Sequence, residues 1–326
     1  MRKLFVFVLI FLLLLCCGCT SNEQTFDIVA TTLPVFNFTD ALCEGTPLTV
    51  GRLVTENVSC LHDYTLQVGQ MQMIEHADVV VISGAGLEDF LQDVLHSTPC
   101  VIDSSPGAHI HSTHVHEEEP SEEHGHHHEQ DPHLWLSPNN AAIMAQNICK
   151  GLSDVYPEYT DTFQENLTVL TAKLDDLQTY AETTLSQLSC REMITFHDGF
   201  AYFAESFNLT ILEAIEEESG SEPSAKEIIS LIDLVNYHHL PAVFTEISGS
   251  DACAGIISRE TGAKIYALDM AMTGDSYFDS MYHNIDTVKE ALGGISVHTA
   301  VPADIPAALE SRIFALELAR ILFFGT

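Results

Sequence analysis

The chain has 326 residues, of which 47 are acidic and 12 basic, so its formal net charge is −35. Such a surface repels the phosphate backbone of nucleic acids, which excludes them as partners, and attracts cations. The length exceeds that of one typical hydrophobic core and predicts two domains. The hydrophobic content of 46% is sufficient for both.

The N-terminus has the pattern of an export signal. A basic head at residues 1–3 precedes an apolar run at 4–15, which is shorter than the roughly 20 residues of a membrane span. The run ends in Cys-Cys-Gly-Cys, and the small residue before Cys19 resembles a bacterial lipobox, although Cys16 stands where leucine is usual. We therefore expect residues 1–19 to be a lipoprotein signal and anchor that fixes an extracytoplasmic protein to the bacterial cell membrane. A secreted protein or an uncleaved anchor is the alternative.

Six cysteines follow the signal: Cys43, Cys60, Cys100, Cys149, Cys190 and Cys253. An exported protein can form disulfides, but the sequence does not determine their pairing. Zinc ligation by these cysteines is the less favoured interpretation, because no Cys-x-x-Cys pair occurs among them.

Strands and helices alternate through the first half of the chain. We expect strands at residues 26–30, 48–53, 78–82 and 100–102, and helices at 34–42, 65–76, 87–95 and 137–152. This βα rhythm predicts a parallel sheet. Ser83-Gly84-Ala85-Gly86 resembles the start of a phosphate-binding loop only superficially, since Asp89 stands at the place of the third glycine.

A long helix is predicted at residues 157–189. Apolar residues recur there at steps of three and four, and the segment contains no glycine or proline after Pro157. At 1.5 Å per residue the helix would be about 50 Å long. We interpret it as a rod that links two lobes, with a coiled coil as the alternative.

The βα rhythm then resumes. Strands are expected at residues 192–196, 209–214, 242–246 and 263–268, and helices at 199–207, 224–238, 252–261 and 277–292. The predicted fold class is α/β, with two similar parallel-sheet lobes joined by a single long helix and a metal site in the interlobe cleft. The domain boundaries are 1–19 for the signal, 26–156 and 190–293 for the lobes, 157–189 for the linking helix and 294–326 for a tail of unknown role.

A histidine-rich tract interrupts the first lobe at residues 109–130. Its histidines are His109, His111, His114, His116, His124, His126, His127 and His128. Glutamates stand between them and almost no apolar residue is available to pack, so we expect a solvated loop that captures metal ions weakly. The alternatives are a low-complexity linker and a metal buffer or adhesin whose function is the tract itself.

Four further residues are candidate ligands of a tight metal site: His62, His133, His197 and Asp269. All four fall at the carboxyl ends of predicted strands, two from each lobe, where open α/β sheets bind their ligands. Three imidazoles and one carboxylate form a tetrahedral set suited to zinc. Taken singly, each histidine could instead be a surface or core residue and the aspartate a helix cap.

Three motifs carry a family resemblance. They are DPHLWLSP at residues 131–138, TFHDGFAYF at 195–203, and ETGAK at 260–264 leading to Leu268-Asp269. Over about residues 26–293 the chain resembles the zinc-binding solute-receptor lipoproteins of bacterial ABC importers. The resemblance implies that His62, His133, His197 and Asp269 are the zinc ligands and that Glu246 is an acidic residue close to them.

The same resemblance implies a monomeric receptor that passes Zn²⁺, its transported ligand, to an ABC permease driven by a cytoplasmic ATPase. A manganese or iron receptor of the same group is the alternative. A zinc hydrolase is disfavoured, because no His-Glu-x-x-His motif occurs and four protein ligands leave no position for water. The chain departs from the family at Met270, where proline is usual, and in the tail beyond residue 293.

Overall fold

The computed structural model describes most of the chain. It covers residues 25–56, 61, 64–96, 98, 100–111, 130–216 and 223–294. The predicted signal, Cys60, His62, the tract histidines from His114 onward and the tail after Gly294 lie outside these ranges. Within them, no helix is both long and apolar enough to cross a membrane.

The first lobe contains a sheet of four parallel strands in the order β2-β1-β3-β4. The strands are β1 (Ile28–Ala30), β2 (Val50–Arg52), β3 (Val79–Ile82) and β4 (Val101–Asp103). The central strands β1 and β3 are short runs of β-branched and small apolar residues that are almost wholly buried, because helices cover both faces of the sheet. The edge strands β2 and β4 are only half-buried.

The helices of this lobe are α1 (Leu33–Cys43), α2 (Val68–His76), α3 (Gln92–Leu95) and α4 (Pro138–Val155). The predicted start of α4 is confirmed, since Ser137 Oγ accepts a hydrogen bond from the Asn140 N–H at 3.4 Å. The predicted helix at 87–95 is wrong in its first half. The Glu88 carboxylate turns back to accept hydrogen bonds from the Ser83 and Gly84 N–H groups, so a 3₁₀ turn at Asp89–Leu91 precedes the four-residue α3.

The second lobe repeats the plan of the first, as predicted. Its strands are β5 (Glu192–His197), β6 (Thr210–Glu216), β7 (Ala242–Glu246) and β8 (Lys264–Leu268), and they form a parallel sheet in the order β6-β5-β7-β8. Its helices are α6 (Ala201–Ser206), α7 (Ala225–His238), α8 (Ala252–Thr261) and α9 (Tyr277–Leu292). Both lobes belong to one unit, which ends at Gly294.

The linking helix is shorter than the predicted 157–189. A 3₁₀ turn at Pro157–Tyr159 leads into α5 (Thr160–Thr184), whose 25 residues span about 38 Å at 1.5 Å per residue. The helix ends where Arg191 Nη2 donates to the Leu185 carbonyl at 2.8 Å, which satisfies an acceptor that a longer helix would have used. Its buried face packs on α1 and α4 of the first lobe and on α9 of the second.

A continuous hydrophobic core connects the two lobes. Its centre is Trp135, which is fully buried. The Trp135 indole N–H donates to the Met270 carbonyl at 2.7 Å, and the Tyr277 hydroxyl donates to the Trp135 carbonyl at 2.8 Å. Side chains from both lobes therefore close the region between the two sheets at Trp135.

Four of the cysteines, Cys43, Cys100, Cys149 and Cys190, are free thiols. Burial raises the pKa of the Cys43 thiol to about 12, so this side chain stays uncharged and is a poor metal ligand.

Candidate metal site

His133 is the best-defined of the predicted ligands. It directly precedes a 3₁₀ turn at Leu134–Leu136 and is 3% exposed. Its backbone N–H and its Nδ1 both lie within hydrogen-bond distance of Asp131 Oδ1, at 3.0 and 2.8 Å. A carboxylate only accepts hydrogen bonds, so Nδ1 carries the hydrogen and the lone pair of the imidazole is on Nε2. Metal-ligating histidines are oriented by carboxylates in this way.

The Nε2 atom of His133 is buried and has no hydrogen-bond partner among the residues that the structure describes. A buried polar atom without a partner costs about 1–3 kcal/mol. A cation at Nε2 would supply the missing interaction, so the arrangement fits a metal ion.

His197 lies beside His133 and comes from the other lobe. It is the last residue of β5, rather than the first residue after the strand as predicted, and is 2% exposed. The two imidazole centroids are 5.2 Å apart and the rings are nearly perpendicular, at 86°. Glu246, the last residue of β7, places Oε1 3.5 Å from His197 Nδ1. Because β5 and β7 are neighbouring parallel strands, both side chains lie at the carboxyl edge of the sheet, where the sequence predicted His197.

Gly199 leaves room for the His197 imidazole. A Cβ atom at this position would lie 2.6 Å from Met270 Cε and 2.7 Å from His197 Cδ2, which is closer than real Cβ contacts. Met270, the residue that replaces the proline usual in the family, therefore packs against the site with its methyl group.

Asp269 is held at the same sheet edge, since it follows Leu268, the register partner of Glu246. Its Oδ1 accepts from the Ala271 N–H at 2.8 Å and its Oδ2 from the Ser280 hydroxyl at 2.7 Å. The Asn284 side chain bonds both the N–H and the carbonyl of Asp269, each at 2.7 Å. Each carboxylate oxygen retains a lone pair for a metal ion.

The structure thus places His197 beside both His133 and Glu246 and fixes Asp269 on the same edge, while His62 is outside the described residues. Within the described residues, no three of these side chains have ligand atoms that all lie within 4.8 Å of one another. Sequence reasoning missed the roles of Asp131 and Asn284. The signal for Asp131 was its position two residues before a histidine, because an aspartate readily bonds the backbone two residues on. The signal for Asn284 was a polar residue on the buried face of α9.

Two histidines of the tract, His109 and His111, are described. They follow β4 and lie near Glu205 of α6, with His111 Nε2 2.9 Å and His109 Nε2 3.6 Å from Glu205 Oε2.

Two parallel βα lobes, a connecting helix and a buried imidazole pair from both lobes define a substrate-binding receptor for a metal ion. The family model described as "Zinc-uptake complex component A periplasmic" (ZnuA) matches residues 28–291, so the chain belongs to this family. The family consists of receptors and not enzymes, and its members act outside the cytoplasm in zinc uptake.

Relatives of known sequence and structure agree with this assignment. The zinc-binding lipoprotein AdcA of Streptococcus pneumoniae (strain R6) is 28% identical over 291 residues, which are 84% of this chain and 58% of AdcA. The chain therefore spans little more than half the length of that relative. A crystal structure of ZnuA, 28% identical, superposes with a TM-score of 0.71 over 81% of this chain and 98% of that one. The Zn(II)-bound ZnuA-like domain of S. pneumoniae AdcA, 25% identical, gives 0.68 over 83% and 100%. The predicted fold class is confirmed.

Proposed function

We propose that the chain captures one Zn²⁺ ion between its lobes and delivers it to an ABC importer. The ligands are His62, His133, His197 and Asp269. The observation that carries the proposal is His133, whose Nδ1 is committed to Asp131 while its buried Nε2 has no partner within the described part of the chain.

Capture follows from the chemistry of this ligand set. Three neutral imidazoles and one carboxylate form a closed tetrahedral site, so the ion is held and no water is activated on it. Imidazole favours zinc, whereas harder ions such as Mn²⁺ prefer sites richer in carboxylate. The acidic surface raises the local concentration of cations before capture, an effect that salt screens beyond about 8–10 Å.

Glu246 lies beside His197 as a weaker counterpart of Asp131, because its contact with the ring is longer than the 2.8 Å hydrogen bond between Asp131 and His133. Its carboxylate lies 3.5 Å from His197 Nδ1, which leaves Nε2 of that ring to face the ion. Each lobe then contributes one imidazole backed by a carboxylate of its own.

The finer features of the receptor belong to the same proposal. Cys19 carries the lipid that anchors a monomeric receptor to the membrane, and the partners are a permease and, through it, a cytoplasmic ATPase. The tract of eight histidines adds weak capture of metal ions. We place the two lobes at residues 26–156 and 190–293 and the segment that connects them at 157–189. The tail at 294–326 has no assigned role.

Metal analysis of the purified soluble chain lacking residues 1–19, with competition between zinc and manganese, tests the proposal. We expect one tightly bound zinc per chain that excess manganese does not displace. Displacement by manganese would make the chain a manganese receptor of the same fold, and absence of any tight metal would end the proposal.

A further inference from the structure

The segment that carries Asp269 belongs to the second lobe, but side chains of the first lobe hold its backbone. The segment runs through residues 269–276 between β8 and α9, and we call it the aspartate loop. Two side chains of the first lobe donate to its carbonyl groups at the end remote from Asp269. They are Arg52, the last residue of β2, and Asn37, which lies in α1. We call these two residues the interlobe clamp.

Arg52 holds the aspartate loop through a charged donor. Its Nη1 atom donates to the Gly274 carbonyl at 2.7 Å. A hydrogen bond from a charged donor is about twice as strong as one between neutral groups. Gly274 has a φ of +77°, a left-handed conformation that glycine adopts readily because it has no Cβ. The loop therefore presents this carbonyl to the guanidinium without strain at the turn.

Asn37 bonds the backbone on both sides of Ser276, where the aspartate loop ends and α9 begins. Its Nδ2 donates to the Asp275 carbonyl at 3.2 Å, and its Oδ1 accepts from the Tyr277 N–H at 2.7 Å. The first N–H groups of a helix have no partner within the helix, so the first lobe supplies the acceptor for the first residue of α9. The neighbouring Phe38 ring packs edge to face on the Tyr277 ring, with centroids 5.0 Å apart. The start of α9 is thereby fixed to α1.

The first turns of α9 in turn fix Asp269. The Ser280 hydroxyl donates to Asp269 Oδ2 at 2.7 Å. One turn further along the helix, the Asn284 side chain bonds the N–H and the carbonyl of Asp269. Ala271, whose N–H donates to Asp269 Oδ1, has a φ of +56°, and a non-glycine residue keeps this conformation only where its surroundings hold it. A displacement at the interlobe clamp is therefore passed to Asp269 through α9 and the aspartate loop.

We propose that Arg52 and Asn37 are positioning residues that hold Asp269 in place across the cleft and thereby slow the release of zinc. This inference rests on the proposed function, because it takes Asp269 as a ligand of the ion. The bonds of the interlobe clamp exist only while the aspartate loop is docked on the first lobe, so they favour the docked state. Where that binding-competent state is less populated, the apparent affinity for the ion falls in proportion. The clamp acts through Asp269 and is not itself a ligand.

The test is the rate at which zinc leaves the one-to-one complex of the chain lacking residues 1–19, measured by rapid mixing with an excess of a chromogenic chelator. Arg52→Gln and Asn37→Ala should each release zinc about 10-fold faster than the parent, at the lower end of the roughly 10–100-fold that loss of an outer partner of a metal ligand costs. Arg52→Lys keeps a charged donor and should restore most of the slow release. In the Asp269→Asn background, Arg52→Gln should leave the rate unchanged, because the carboxylate on which the clamp acts is absent.

The matched control is Asn166→Ala. The Asn166 side chain also bonds the backbone of another element, since it donates to the carbonyls of Leu42 and Glu44 at the end of α1, at 2.9 and 2.8 Å. Among the described residues it makes no such bond to the aspartate loop. The variant should lose stability without releasing zinc faster.

Three results would overturn the positioning role: an unchanged rate in both clamp variants, equal acceleration by Asn166→Ala, or acceleration by Arg52→Gln that persists in the Asp269→Asn background. The last two would mean a general loosening of the fold. A parent that binds no zinc tightly would instead end the proposed function, and this would be found before any release rate is measured. The proposed function and this inference therefore fail separately.

Discussion

The two histidine pairs of this molecule have the same ligand chemistry and opposite environments. His133 and His197 are almost fully buried, whereas the His109 side chain is exposed and the His111 side chain is partly exposed. Water can satisfy the ring nitrogens of the exposed pair. It is largely excluded from the buried pair, where His133 Nε2 has no hydrogen-bond partner among the described residues and would gain one from an ion. Electrostatic attraction is also stronger in the buried environment. We therefore expect burial and fixed orientation, and not the number of histidines, to determine where a metal ion binds tightly.

Removing a buried ligand should have the largest effect. Structural zinc sites bind with about 10–16 kcal/mol over four ligands, so one imidazole accounts for a 100–1000-fold change in affinity as an order of magnitude. We expect that loss from His133→Ala and from His197→Ala, measured by competition with a chelator of known affinity. If the tight event survived in both variants, the comparison between buried and exposed pairs would be wrong.

Asp131→Asn should weaken the tight site by about 10–100-fold, because an amide orients and polarises the His133 imidazole less well than a carboxylate. Asp154→Asn is the control, since Asp154 is exposed and, among the described residues, pairs with Lys150 alone. An unchanged zinc affinity in Asp131→Asn would show that orientation of His133 contributes nothing.

His197→Glu changes the metal preference without emptying the site. A second carboxylate favours Mn²⁺, so the ratio of the manganese to the zinc dissociation constant should fall relative to the parent, although zinc still binds more tightly overall. The two constants are measured by competition in one buffer at one pH. An unchanged ratio, with zinc bound as tightly as before, would place His197 outside the ligand set and point to Glu246 as the ligand in its place.

Gly199→Ala tests how tightly the buried pair is packed. The added methyl group overlaps His197 and Met270, and overpacking of this kind costs about 1–3 kcal/mol in the free energy of unfolding. Zinc affinity should fall together with stability. Gly69→Ala is the matched control, because nothing lies within 4 Å of its added Cβ and alanine is the better helix residue. Equal thermal stability of the two variants would contradict the packing described here.

The smallest expected effect is a dependence of the stability of the first lobe on pH. It differs from the competition between protons and zinc at the metal site. Burial raises the pKa of Glu88 to about 7 from an ordinary 4.5, even though three donors lower it. The folded state therefore takes up a proton more readily than the unfolded state, and this contribution to stability is complete below about pH 4.5 and is lost as the pH rises through about 7. Zinc binding changes in the opposite direction, since ligating imidazoles must be neutral.

Denaturant unfolding of the metal-free parent and of Glu88→Gln between pH 4.5 and 7.5 measures this term. In the variant an amide NH₂ group replaces the carboxylate oxygen that accepts from the Gly84 N–H, and this group cannot accept a hydrogen bond. The variant is therefore less stable than the parent at every pH in this range. Its stability relative to the parent should improve as the pH rises. A difference that stays constant with pH would mean that Glu88 does not titrate in this range.

The local patterns of the sequence predicted most of the fold. The alternating strands and helices, the Ser137-Pro138 helix start and the repeated second lobe depend on residues close together in the chain. The predictions that failed depend on side-chain hydrogen bonds that hydrophobic periodicity does not reveal: α5 ends early where Arg191 bonds the Leu185 carbonyl, and the first half of the 87–95 helix is displaced by the bonds of Glu88. The role of Asp131 escaped notice for the same reason, because it bonds His133 through its side chain. Asn284 escaped notice because its partner Asp269 is distant in the chain and only folding brings the two together.

X-ray absorption at the zinc edge of the one-to-one complex tests the central claim most directly. We expect nitrogen and oxygen ligands at about 2.0–2.1 Å with the outer scattering of imidazole, and one imidazole fewer when His197→Ala is added. Sulfur scattering at about 2.3 Å, or an imidazole count that His197→Ala does not change, would contradict a zinc site built from the buried histidines of the two lobes.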